Sequence, residues 1–193
     1  MGAEDLAAPA LLEGSDGRTQ NEKLAALLRA HFRDVWRALR RFGVPEAHAD
    51  DAAQEVFIIA SRKLDTVEPG RERQFLHAVA LRVAANARRA RNVRPESAES
   101  PTVERALGPL PSPEALLDHK QARELLDSVL DAMTEDLRTA FVLFELEGYS
   151  GPEVAELLEI PLGTATSRLR RARESFQASV AKLKRTLRAG GER

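Results

Sequence analysis

Residues 150–176 read SGPEVAELLEIPLGTATSRLRRARESF. Ser150 is suited to cap a helix, Pro152 to its first turn, and Glu153 to the third helical position, where it completes a capping box. Val154, Ala155, Leu157 and Leu158 supply a short apolar face. Ile160-Pro161 then forces a turn, since the residue before proline is pushed out of the helical region. A second helix opens near Leu162. Its apolar residues Ala165, Leu169, Ala172 and Phe176 recur at three- and four-residue spacing, and Val180, Leu183 and Leu187 continue the stripe. Two helices joined by a tight turn, the second amphipathic and strongly basic outside, predict a helix-turn-helix.

The chemistry of the second helix points to a polyanion. Its outer side offers Thr164, Thr166, Ser167, Arg170 and Arg171 near the N-terminal half. Arginine grips guanine O6 and N7 bidentately, and hydroxyls bond to several base edges. Arg168, Arg173, Lys182 and Lys184 suit phosphates, which position a protein without reading sequence. A plain helix with solvated arginines is the alternative. Cap, turn, apolar period and basic face coincide here, and that coincidence favours DNA.

Outward from this stretch, the near-neutral net charge of −1 hides a segregation. Residues 21–95 hold 15 basic and nine acidic side chains, a net of +6. From position 163 to 188 the only acid is Glu174, against eight basic residues. Two basic zones in a neutral chain suggest two polyanion-facing surfaces, with other work for the acidic ones.

The N-terminal half is helical by the same reasoning. Leu24, Leu28, Phe32, Val35, Leu39 and Phe42 lie on one face, Gly43 provides a C-terminal stop, and Pro45 prevents continuation. A second helix is predicted over 46–64 and a third over 74–91, with a Pro69-Gly70 loop between them. Prolines at 95, 101, 109, 111 and 113 then break the periodicity, which marks a linker between domains. Helices are expected again over 114–133 and 134–147. The fold class is therefore all-α: two small helical domains joined by a flexible linker. The expected boundaries are a flexible tail over 1–20, a domain over 21–92, the linker over 93–112, a domain over 113–188 and a short tail over 189–193.

Several function classes fall away. Without cysteine there is no disulfide scaffold, thiolate metal site or thiol nucleophile. His31, His48, His77 and His119 are scattered without metal-ligand spacing, and no phosphate-cradling glycine loop or nucleophile-base pair is evident. No apolar run reaches the roughly 20 residues of a membrane span, and the N-terminus carries acids where a secretory signal carries bases. The expectation is a cytoplasmic protein that is not an enzyme, with no cofactor, metal, small-molecule ligand or membrane partner.

The tract 153–176 resembles the region 4 helix-turn-helix of extracytoplasmic-function (ECF) sigma factors, of the sigma-70 family, and RTAFVLFELEGYSGPEVAELL at 138–158 is similar to what precedes it. Independently, DDAAQEVF at 50–57 resembles the region 2 helix that docks on core RNA polymerase. QFLHAVALRVAANARRARNVR at 74–94 resembles the helix that opens the −10 element. Both motifs, in this order and across such a linker, are specific. The resemblance makes 21–92 region 2 and 113–188 region 4. It implies promoter DNA and core polymerase as partners, through the β′ coiled coil and the β flap, and an anti-sigma inhibitor for which no residue speaks. It implies core docking by Asp50, Asp51, Gln54, Glu55 and Phe57, whose acids suit a basic partner helix. It implies −10 contacts by Phe75, His77, Arg82, Asn86, Arg88, Arg89 and Arg91, with Phe75 and His77 as the rings of the melting pocket. Relatives often carry Trp at position 75 and Asn at 82; Asn donates and accepts, whereas Arg only donates, so no base preference transfers to Arg82. A helix-turn-helix regulator acting without polymerase is the alternative, and it leaves the 50–57 helix and its basic successor unexplained.

Overall fold

Gly43 and Val44 close the first helix, and their geometry sets the frame. Gly43 adopts a φ of +96°. It lets the Val44 amide donate back to the Leu39 carbonyl at 3.0 Å, the six-to-one bond of a Schellman stop. Val44 and Phe42 are fully buried there, and burying such a side chain contributes roughly 1.5–3 kcal/mol.

The computed structural model describes residues 13–93 and 113–190, and among these every regular element is helical. An N-terminal bundle comprises α1 (Glu13–Arg41), α2 (Glu46–Ser61) and α3 (Glu72–Val93), with a 3₁₀ turn at Leu64–Thr66. A C-terminal bundle comprises α4 (Pro113–Asp131), α5 (Glu135–Phe141), a widened π turn at Val142–Leu146, α6 (Gly151–Leu157) and α7 (Leu162–Gly190). The all-α expectation is borne out.

The packing follows the apolar stripes. Val35, Ala38 and Leu39 of α1, with Phe42 just beyond it, meet Ala53, Val56, Phe57 and Ala60 of α2 and Leu76, Ala80, Val83 and Ala84 of α3. The alanines let the backbones approach closely. In the second bundle Leu130, Met133, Phe141, Val142, Leu143, Val154, Ala165 and Ala172 are buried, and Phe141 stacks on Phe176 with centroids 4.4 Å apart.

Three boundaries differ from the sequence reading. First, α1 begins at Glu13, inside the stretch expected to be tail. Gln20 donates to the Ser61 carbonyl at 3.3 Å and to the Asp65 carboxylate at 3.4 Å, so tertiary contacts extend into the last residue of that stretch. Second, 134–147 is not one helix: after Phe141 the ladder widens, and the Glu147 amide reaches the Val142 carbonyl at 2.9 Å. Gly148, at φ +75°, then turns the chain. Third, the two bundles do not stand apart. Their buried side chains form one continuous cluster, so the molecule is closed on itself. The linker expected over 93–112 falls, after Val93, outside the described residues.

Candidate nucleic-acid interface

The helix-turn-helix forms as its caps dictate. The amide and hydroxyl of Ser150 both donate to the Glu153 carboxylate, at 2.7 and 2.6 Å, and these bonds hold that carboxyl below its usual range. Helix α6 ends at Leu157, and Glu159 swings into the left-handed region at φ 54°. Pro161 then starts α7, accepting from the amides of Thr164 and Ala165.

On α7, Thr166, Arg170, Arg171 and Arg173 are exposed, while Thr164, Ser167 and Arg168 are partly covered. Arg170 pairs with Glu174 one turn on, at 2.8 Å, and Arg173 pairs with Glu145, at 2.7 Å. Arg168 is 23% exposed and bonded to Asp136 at 2.9 Å, so this arginine faces inward. The hydroxyls of Thr166 and Ser167 bond back to the carbonyls of Leu162 and Thr164, which leaves their lone pairs available. Arg171 makes no ion pair among the described residues.

A second basic surface lies on α3. Phe75, Arg82, Asn86, Arg88 and Arg89 line a single groove of about 890 Å³. Its opposite wall belongs to the C-terminal bundle, with Glu135, Glu156 and Glu159. Arg82 pairs with Glu159 at 3.0 Å, and Arg88 pairs with Glu135. The side chain of Arg91 lies outside the described residues.

Two expected contact residues are placed inside the protein instead. Phe57 is 4% exposed and stacks on Phe32, with centroids 6.0 Å apart. It lies four residues from Ala53 and three from Ala60, on the core stripe. His77 is 1% exposed and is not beside Phe75; residues two apart on a helix point in nearly opposite directions. Spacing alone carried both signals. Asp50, Asp51, Gln54 and Glu55 do form an exposed edge of α2. Sequence reading missed Ile58, which is 55% exposed on that helix, because it sits in an apolar run.

His77 belongs to a polar cluster between the bundles that sequence reading did not find. The Tyr149 hydroxyl and His77 Nδ1 are 2.9 Å apart. Burial pushes the Tyr149 phenol up to about 12 and the His77 imidazole down to about 4. With the ring neutral, the Glu147 carboxylate 3.9 Å from Nε2 favours the tautomer that carries its proton on Nε2, in which Nδ1 accepts from the Tyr149 hydroxyl. Glu147 is 7% exposed, and Arg41 and Arg73 engage its two carboxylate oxygens at 2.8 and 2.7 Å. Arg73 also donates to the Glu147 carbonyl and lies over the Tyr149 ring, 5.2 Å from its centroid.

The chain resembles known proteins along both bundles. The Sigma-70 region 2 family matches residues 27–94, and the Sigma-70, region 4 family matches residues 123–176. The ECF RNA polymerase sigma-E factor of Escherichia coli (strain K12) is 33% identical over 145 residues, covering 71% of this chain and 76% of that protein. This chain belongs to the ECF sigma factors. The sigma factor SigE of Mycolicibacterium smegmatis is 29% identical over 157 residues, covering 81% of this chain and 61% of that relative. Among solved structures, CnrH in complex with the cytosolic domain of CnrY aligns with a TM-score of 0.58 at 25% identity, over 82% of this chain and 88% of that one. RpoE of Bartonella quintana, bound to the anti-sigma factor NepR, aligns with a TM-score of 0.56 at 19% identity, covering 80% and 94%; that likeness concerns the fold. The N-terminal bundle is thus region 2 and the C-terminal bundle region 4 of an RNA polymerase sigma factor. Among the described residues no helix is long and apolar enough to cross a membrane, and no cluster of carboxylates and imidazoles could hold a metal ion.

Proposed function

We propose that this sigma factor reads a −35 duplex with α7 and holds a −10 strand with α3. On α7, Arg171 and Arg170 are the base-reading donors, with Thr164, Thr166 and Ser167 as hydroxyl contacts and Arg173 on phosphate. On α3, Arg82, Arg88 and Arg89 hold phosphates, Asn86 supplies an amide, and Phe75 is the stacking ring. The edge of α2 formed by Asp50, Asp51, Gln54 and Glu55 docks on the β′ coiled coil, while region 4 sits near the β flap. The protein works in the cytoplasm as an initiation factor rather than a catalyst, and an anti-sigma protein restrains it.

The observation that carries this reading is Arg171, exposed and without an ion pair among the described residues, on the second helix of a region 4 helix-turn-helix. The anti-sigma partner draws support from the neighbours CnrH and RpoE, each solved in a complex. Transcription reconstituted with purified core polymerase on a library of promoter fragments tests the whole. Defined start sites with a common −35 and −10 spacing are expected. DNA binding without any polymerase-dependent initiation would instead favour a conventional helix-turn-helix regulator.

A further inference from the structure

Among the described residues five arginine–carboxylate pairs cross between the two regions, and these five have the same polarity. Arg40 meets Asp127 at 3.1 Å, Arg41 and Arg73 meet Glu147 at 2.8 and 2.7 Å, Arg82 meets Glu159 at 3.0 Å, and Arg88 meets Glu135. In each, region 2 supplies the guanidinium and region 4 the carboxylate. Gln74 repeats the pattern by donating to Glu156 at 3.2 Å. Guanidinium forks accept carboxylate and phosphate oxygens with the same planar geometry. The acids of region 4 therefore occupy donors that a nucleic-acid backbone would need.

We propose that the acidic face of region 4 is an intramolecular substitute for DNA phosphates, which keeps the α3 face of region 2 shut until the two regions part. This rests on the reading of α3 as the −10 face. The contacts are graded from rim to centre. Arg82 and Glu159 are 69% and 76% exposed, and such surface pairs are individually weak. A polyanion can displace them one at a time. At the centre Glu147 is nearly buried, both its oxygens are engaged, and Tyr149 holds His77 behind it. The rim competes with DNA, while the centre decides whether the seam opens. Arg170 and Arg171 of α7 make no contact across the seam among the described residues, so closure leaves these two donors uncovered.

The chain has no native cysteine, so cysteines at the exposed positions Ala26 and Gln177 can carry a spin-label pair in the full-length protein. Three forms are compared: the parent, Glu156→Gln with Glu159→Gln, and Glu147→Gln. The two rim changes are at exposed sites and keep the test valid if the central change unfolds the protein. Each is titrated with fluorescein-labelled single-stranded DNA of random sequence over a range of salt. Relief of closure should tighten binding by roughly tenfold or more, as the competent fraction rises. Freeing Arg82 and Arg88 should add about two phosphate contacts, steepening the slope of log K against log salt by about 1.4. The label distances should lengthen or broaden, and excess DNA should drive the parent the same way. Unchanged affinity and slope in both variants overturn the proposal, as does tighter binding with unchanged distances. If Arg89→Ala leaves DNA affinity unaltered in an opened variant, the −10 reading itself fails. Transcription retained with core polymerase, alongside no gain in free DNA binding, rejects the closure alone.

Discussion

The two arginine-rich helices of this sigma factor, α3 and α7, look alike in sequence and are used differently in space. The arginines of α7 find acids within region 4: Arg170 has Glu174, Arg173 has Glu145 and Arg168 has Asp136. Two of those pairs lie at the surface, and Arg171 makes none among the described residues. The arginines of α3 find their acids in the other region, 77 residues away for Arg82 and 47 for Arg88. A basic helix neutralised by its own bundle stays ready for DNA. One neutralised by a distant partner is available only when that partner leaves.

The largest expected effect acts where α3 meets region 4. Burial holds the His77 imidazole down to about 4 against an ordinary value of 6.5. Glu147 and Asp34 favour the charged ring, while Arg73 and His31 oppose it, with the Tyr149 hydroxyl on Nδ1 and Arg41 across Glu147. The folded state keeps the ring neutral while the unfolded chain protonates it. Stability is thus complete above pH 6.5 and is lost as pH falls toward 4, by about 3 kcal/mol. Urea unfolding across that range should show the slope, and His77→Gln should flatten it. A slope unchanged by the substitution would place the titrating group elsewhere.

Next in size is a change confined to α7. Arg171→Ala should weaken −35-dependent transcription and relax base choice there, costing roughly 1–3 kcal/mol, with no change in the label distances that report closure. An equal loss on promoters lacking a −35 element would make Arg171 a phosphate contact instead. Reversing Asp51 and Glu55 to lysine touches neither basic surface. It should weaken holoenzyme assembly on the order of tenfold, or about 1.4 kcal/mol, measured by titration with core polymerase, and leave duplex DNA binding by the free protein intact. Loss of both would indicate misfolding.

The smallest effect joins the two surfaces. Glu159→Gly removes a left-handed non-glycine residue, which stabilises the turn by roughly 1 kcal/mol, and it also deletes the partner of Arg82. A melting temperature that rises while single-stranded DNA binding tightens fits both roles. A lower melting temperature would mean that the exposed Arg82 pair outweighs the backbone strain.

Much of this arrangement was legible in the sequence because it is periodic and local. The three- and four-residue stripes, Gly43 as a stop and the Ser150–Glu153 box each act within a turn or two. What escaped is long-range. Glu147 read as the end of an ordinary helix, yet its partners are Arg41 and Arg73, 106 and 74 positions away. The π turn that aims it leaves no compositional mark. Glu159 was overlooked because Ile160-Pro161 already explained a turn there. The site residues divide the same way: exposed edges on α2, α3 and α7 followed from spacing. Phe57 and His77 received surface roles from the family resemblance, whereas their helical angles, on the core stripe of α2 and opposite Phe75 on α3, place them inside.

The uniform polarity of the seam also bears on how the molecule meets DNA. With Arg82 and Arg88 of α3 paired to region 4, the exposed basic run of α7, from Arg170 to Arg185, is the positive surface that closure leaves uncovered. A diffusing duplex is attracted to that surface, and the attraction fades as ionic strength rises. Order of engagement is thereby built into the charge distribution. On the proposed closure, duplex capture at the outer helix comes before strand capture at the inner one, so a double-stranded address is tested before the surface for a melted strand is exposed.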